Sequence, residues 1–307
     1  MLSAVRRCSG KSFHDFVAAM LKARFPNFKR VRCLCTVGQV VHTLPKGETV
    51  RGVTSLADEI YVLRQKARDQ VEVYDIITYR LLRCLTVPNT IGFVDMTSGG
   101  HNRCVYIANG NDRCIYGLDV QGAGKWWCVN DKPSGLSVNA AHNVLVTCHE
   151  VREIKEFSSH GDLLRELTLP DDFINPWHVI QLTTGQFIVC HGFTGDTVHR
   201  VCKISRDGRN IVHAHGGQQD SDIGQFSHPR HLAVDNTGFV FVADVFNQRV
   251  KLLSPTLDYV RQVVAPDDLK SLPTRLYLDT QRRRLYVADN EFEDNTWTLG
   301  RVVVVSV

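Results

Sequence analysis

Short apolar strand signals recur along this chain at nearly constant spacing, and that recurrence limits its fold more than any single motif. The clearest unit spans residues 226–253. Residues 232–234 are apolar, Asp235-Asn236-Thr237-Gly238 has turn chemistry, and residues 239–242 and 250–253 are two further apolar runs. Residues 259–264 supply a fourth. The same order recurs five more times. Second strands aligned on Val62, Ile107, Val146, Val189, Val242 and Val287 are 45, 39, 43, 53 and 45 residues apart. A period of about 40–45 residues with four short strands per unit predicts propeller blades. The predicted fold is therefore all-β, a six-bladed β-propeller preceded by a short N-terminal helix.

The two ends of the chain fit this reading. The last unit stops at Val307 after three strands. Arg32-Cys33-Leu34-Cys35-Thr36-Val37 resembles the fourth strand Leu82-Arg83-Cys84-Leu85-Thr86-Val87. Residues 33–37 are expected to pair with residues 301–306 and close the ring, removing an open edge. This divides the chain into a basic helical segment, residues 1–32, and a propeller, residues 33–307. Phe13, Phe16, Val17, Met20 and Leu21 form the apolar stripe of the helix.

Charge separates the two parts. Residues 1–32 carry eight Lys or Arg against Asp15 alone, a balance of +7, which leaves −3 for the rest of the net +4. The body is not a generally basic nucleic-acid binder, and no DNA partner is expected. No apolar run approaches the ~20 residues of a membrane helix, so no membrane partner is expected. Ten cysteines occur without a CxxC pair, and the sequence shows no secretory leader or N-x-[ST] acceptor. Free thiols and an intracellular, cytoplasmic setting follow. The Arg-rich, acid-poor first thirty residues also fit a mitochondrial presequence.

One column of the repeat has a structural meaning. Arg opens the third strand at Arg113, Arg200, Arg249 and Arg301, and Asp244 and Asp289 end two of the second strands. A loop that leaves on Asp and returns on Arg can close on a charge-assisted hydrogen bond. Together, Gly216-Gly217-Gln218, Gly224-Gln225-Phe226, Pro229, Ala233-Val234-Asp235, Val242-Ala243-Asp244 and Asn247-Gln248-Arg249-Val250 resemble the NHL repeat. The resemblance covers roughly residues 33–307 and is strongest from about residue 175. The first units depart from it, with Leu63-Arg64 and Thr147-Cys148 where the family has Ala-Asp. NHL propellers of tripartite-motif proteins recognise targets for an attached RING ligase. The resemblance implies recognition, while the ligase's zinc-ligand array and heptads are missing from this sequence.

Enzyme signatures fail on residue type. Trp126 follows Lys125 in Gly122-Ala123-Gly124-Lys125, His149-Glu150-Val151-Arg152-Glu153 ends on Glu, and there is no G-x-S-x-G elbow. His178 and His231 stand at equivalent points where first strands begin beside the channel. Similar propellers of the peptidyl-hydroxyglycine amidating lyase type hold zinc on three such histidines. Here Val53, Phe93, Leu136 and Leu276 lie at the other units, which leaves two ligands of three. No metal, no cofactor and no catalytic set are expected. The loop face is the predicted site, with Trp177, His178, Arg230, His231, Arg275, Arg113 and Arg64 as its binding residues. A non-catalytic platform for a protein partner is the favoured function. Single-stranded RNA is the alternative, and a zinc-dependent lyase the second.

Overall fold

Each apolar unit folds into an antiparallel sheet, and six sheets stand side by side around a channel. The computed structural model describes residues 38–65, 70–87, 92–119, 124–193, 195–218, 220, 222, 224–294 and 296–307. The expected helix, the division at residue 32 and the strand at 33–37 lie outside the described residues. Strands β1 (Gln39–Thr43) and β2 (Gly47–Glu48) come first. The first blade is β3 (Val50–Leu56), β4 (Glu59–Arg64), β5 (Gln70–Asp75) and β6 (Leu81–Thr86). The second is β7 (Phe93–Gly99), β8 (Cys104–Asn109), β9 (Cys114–Asp119) and β10 (Gly124–Cys128). The third is β11 (Gly135–Val138), β12 (Val144–Cys148), β13 (Glu153–Phe157) and β14 (Leu163–Thr168). The fourth is β15 (Pro176–Gln181), β16 (Phe187–His191), β17 (His199–Ile204) and β18 (Ile211–Gly217). The fifth is β19 (Pro229–Val234), β20 (Val240–Asp244), β21 (Arg249–Leu253) and β22 (Tyr259–Val264). The last is β23 (Leu272–Asp279), β24 (Arg284–Glu293) and β25 (Thr296–Ser306), completed on its outer side by β1. First strands touch in succession, and β23 returns to β3, so the ring is closed.

Blade packing explains why second strands read as unbroken apolar runs. Side chains alternate between the faces of a strand, and here both faces are covered. In β4, Ile60 and Val62 enter the core shared with the last blade, while Tyr61 and Leu63 enter the core shared with the second blade. In β20, Val240 and Val242 face the fourth blade, and Phe241 and Ala243 face the last. The outermost strands β6 and β14 are largely exposed.

The ring closes as the sequence suggests, but with a different segment. Gln39 pairs with Ser306, Val40 with Val305, His42 with Val304 and Thr43 with Val303. The edge of β25 that residues 33–37 were expected to fill is therefore taken by β1. The two segments read alike as short apolar runs, and only the register against β25 distinguishes them.

The Asp–Arg column behaves structurally. Arg249 Nε lies 2.7 Å from Asp244 and Arg301 Nε lies 2.8 Å from Asp289. Each carboxylate also accepts main-chain N–H groups from the loop leading into its own blade, Ser227 for Asp244 and Lys270 and Ser271 for Asp289. Among the described residues all seven cysteines are free thiols, and no helix is long and apolar enough to cross a membrane.

Candidate functional site

Backbone bulges decide which side chains reach the channel. Five of the six first strands shift register near their start, between Val50 and Gly52, Phe93 and Asp95, Pro176 and His178, Pro229 and His231, and Pro273 and Arg275. A bulge turns the strand locally and re-aims the side chain that follows it. Gly135 pairs with Thr147 at the corresponding level of β11. One ring of residues results: Gly52, Asp95, Gly135, His178, His231 and Arg275. The two glycines leave space for neighbours. A Cβ at Gly52 would stand 2.4 Å from the Met96 Cβ, and one at Gly135 2.4 Å from the Trp177 carbonyl oxygen.

The four larger members fill the channel neck. The rings of His178 and His231 stack with centroids 3.7 Å apart. Asp95 Oδ2 accepts the Leu136 N–H at 2.8 Å and faces His231 Nε2 at 3.4 Å. Its Oδ1 lies 3.0 Å from Arg275 Nε, an ion pair without hydrogen-bond alignment. Arg275 also donates to the carbonyls of Thr274 and Val94. Burial alone would raise the Asp95 carboxyl, but His231 and Arg275 hold it well below the usual carboxylate range. Burial, and then the neighbouring His231, push His178 down to about 3. Burial likewise lowers His231.

Asp95, His178 and His231 offer ligand atoms within 4.8 Å of one another. Their hydrogen bonds argue against a metal centre. His178 Nε2 lies 2.9 Å from the Leu136 carbonyl, so it must carry the proton. His231 Nδ1 accepts the Leu276 N–H at 3.3 Å, so its proton sits on Nε2, toward Asp95. Only His178 Nδ1 keeps an unused ring lone pair. Asp95, moreover, is already neutralised by Arg275. The cluster does not fit zinc without rebuilding these bonds, and it is best described as a charge-balanced plug across the channel.

Above the plug, on the face of the second-to-third-strand loops, lies an aromatic mouth. Trp177 stacks on His149 at 5.1 Å and on His228 at 5.4 Å, and meets Phe193 at 5.5 Å. The Arg230 guanidinium carbon lies 4.8 Å from the Trp177 ring and 5.3 Å from Trp297. Trp297 is held by Phe292 at 4.8 Å, on the hairpin that extends β24 and β25 beyond the blade. Phe193, Phe246 and Phe292 expose 36–40% of their surface around this mouth. Arg230 keeps some exposure, but its Nε is covered, and it makes no hydrogen bond or ion pair with the described residues. Burial, and then the Arg275 and Arg51 guanidiniums, disfavour its charge. A guanidinium does not shed its proton to escape this, so the charge stands uncompensated.

The residues read from the sequence thus separate. Trp177 and Arg230 form the mouth. His178, His231 and Arg275 belong to the buried plug beneath it, so Arg275 is not part of a surface patch with Trp177 and Arg230. Arg113 is exposed at the start of β9, donating to the Asn130 carbonyl. Arg64 ends β4 on the loop side but does not reach the surface: it is 1% exposed and bonded to Glu72 and to the carbonyls of Pro45, Glu48 and Gly300. Asp95, Trp297, Phe193 and Phe246 were missed. Asp95 is legible once Met96 is paired with Ile107 across the hairpin, as Leu232 pairs with Val242. Phe93, read as the equivalent, instead pairs with Asn109 at the start of the bulge, the level at which Pro229 pairs with Asp244.

No protein-family model matches the chain, and no curated protein matches it. The NHL relation therefore remains a resemblance. Solved structures do match. Virginiamycin B lyase from Staphylococcus aureus superposes with a TM-score of 0.58 at 10% identity, over 86% of this chain and 98% of that one. Hydrazine synthase from Kuenenia stuttgartiensis gives 0.61 at 13% identity, over 91% and 99%. The Cps50 (Swd1) β-propeller domain from Myceliophteria thermophila gives 0.56 at 10%, over 84% and 83%. Two of these names are of enzymes and one is of a β-propeller domain, and at such identity the likeness shows the fold alone, a β-propeller, which in this chain has six blades.

Proposed function

We propose that this chain is a binding module that captures a protein partner on its loop face, with an acidic group of the partner seated against Arg230. The observation that carries the reading is the state of that guanidinium, held between two indoles with its Nε covered and no anion beside it. Arg51 and Arg275 both lie within electrostatic reach of Arg230, with Asp95 as the opposing charge. A carboxylate entering there would gain a charge-assisted hydrogen bond in a partly dry site. The surrounding Trp177, Trp297, Phe193 and Phe246 provide rigid apolar area of the composition that dominates protein interfaces. The buried His178, His231 and Arg275 lie beneath, and a side chain or chain terminus is the part of the partner expected to enter.

Random-peptide display tests this. The wild-type chain is expected to enrich peptides with an acidic side chain or free C-terminal carboxylate next to an apolar residue. Trp177→Ala/Arg230→Ala should lose that enrichment and stay folded, with a lower midpoint because Trp177 packs on the core between the fourth and fifth blades. Enrichment unchanged by the double substitution would place the site elsewhere. Capture competed by single-stranded RNA, and falling steeply with salt, would assign the face to nucleic acid. About one zinc per chain, lost in His178→Ala/His231→Ala, would replace the binding reading with a metal-dependent one.

A further inference from the structure

The opposite end of the channel holds a second feature that the loop-face reading does not use. A cavity of about 530 Å³ opens between the first-to-second-strand turns and runs inward to His178 and His231. Its size falls in the range of about 300–1,000 Å³ typical of small-molecule sites. From its structure we infer that it binds a small, neutral, polyhydroxylated molecule of the sugar or polyol class.

Charge is the first argument. The cations and anions at the rim are already paired. Arg282 contacts Asp58 at 2.5 Å and Asp279 at 3.1 Å. A charged ligand would leave water and meet no free counter-charge on the wall, which is costly. A neutral ligand carries no such penalty.

Hydrogen bonding is the second. Two residues that line the cavity, Ser137 and His178, each carry a buried polar atom with no partner among the described residues, Ser137 Oγ and His178 Nδ1. The Leu136 carbonyl fixes the His178 proton on Nε2, so Nδ1 is a bare acceptor that calls for a donor. Ser137 can donate or accept. A hydroxyl does both, and a polyol presents several at once. Ser55, Ser98, Thr97 and Tyr277 add further hydroxyls to the lining; Ser55 donates to the Tyr277 hydroxyl, and Tyr277 and Ser98 both donate to the Ser55 carbonyl. Each first strand also ends its sheet, so its channel edge carries main-chain groups without a ladder partner.

The remaining wall is apolar. Val53, Leu56, Met96, Leu136, Ile180 and Leu276 alternate with the hydroxyls. This mixture matches a ring or chain in which C–H faces alternate with O–H groups. The same pattern would suit a purely hydrophobic ligand poorly, because Ser137 and His178 would stay unsatisfied.

The test uses the full chain with glucose, maltose and myo-inositol as probes, read by saturation-transfer NMR and calorimetry. At least one of them is expected to bind. Ser137→Leu, which fills the cavity, should weaken that binding at least tenfold, and the milder Ser137→Ala should weaken it severalfold, with both variants melting as folded protein. Arg230→Ala, on the other face, should leave it unchanged, so failure here and failure of the loop-face reading are separable. No binding by any neutral probe would mean that the cavity holds water only and would overturn the inference. So would binding indifferent to both Ser137 variants, or glucose 6-phosphate binding as tightly as glucose.

Discussion

Two arginines that look alike in the sequence have opposite roles. Arg64 is a rivet. Its Nε meets Glu72 at 2.6 Å, and its remaining N–H groups reach Pro45, Glu48 and Gly300, tying the first blade to the closing segment. Removing it would take the cation from the mostly buried Glu72 carboxylate, leaving it the Tyr74 hydroxyl, and would remove one donor from each of three carbonyls. Arg64→Ala is expected to cost about 3–5 kcal/mol of unfolding free energy, read by urea denaturation. Arg230 has no such bonds, and its charge is opposed by burial and by Arg275 and Arg51. Arg230→Ala is expected to change stability by under about 1 kcal/mol, since lost stacking on two indoles offsets relief of an unpaired charge. Comparable losses in both variants would mean that Arg230 is structural too. The sequence could not separate them, because their difference lies in partners distant along the chain.

At the level of the elements, the first strands show what was legible and what was not. Their existence, apolar character and order followed from the repeat. Their channel-facing residues depended on bulges, which add a residue without an apolar signature. His178 and His231 were found because Pro176 and Pro229 stand at the same point of their units, and Arg275 because it comes just before Leu276 at the matching place. Asp95 was not, because the second unit has no such marker. His178 in the plug and the buried His191 at the end of β16 predict a pH response. His178 is pushed down to about 3 and His191 to about 4, both mainly by burial, from an ordinary 6.5. A depressed histidine stays neutral when folded, while the unfolded chain takes up the proton. The unfolded state therefore binds more protons below about pH 6.5, and stability falls as the solution is acidified. Between about pH 6.5 and 5 carboxylates are ionised in both states, so the slope there belongs to the histidines. The thermal midpoint is expected to drop steadily across that interval. A flat midpoint would show that the imidazoles are hydrated rather than buried.

On the scale of the whole molecule, a propeller is stable only as a ring, because each blade buries its apolar faces on its neighbours. The ends of this chain meet in the last blade, where β1 covers the outer edge of β25. The sequence located this closure but placed it on residues 33–37, since a short run such as Cys33-Leu34-Cys35 is indistinguishable by pattern from Gln39-Val40-Val41. The structure adds what pattern could not. Val40 packs on the core between the last two blades, Leu44 is 1% exposed in the core on the other side, and Pro45 and Glu48 are held by Arg64. The closing segment is thus fixed by ladder, core and rivet together. A chain begun at Gly38 is expected to melt within a few degrees of the full chain. One begun at Lys46 loses β1, the buried Leu44 and one partner of Arg64. Truncating a buried leucine alone costs about 2–5 kcal/mol, which corresponds to roughly 10 °C in a domain of this size. The second truncation should melt at least that much lower, and it should expose the edge of β25 and associate as concentration rises. Equal melting and equal solubility of the two truncations would show that the ring does not need its closing strand.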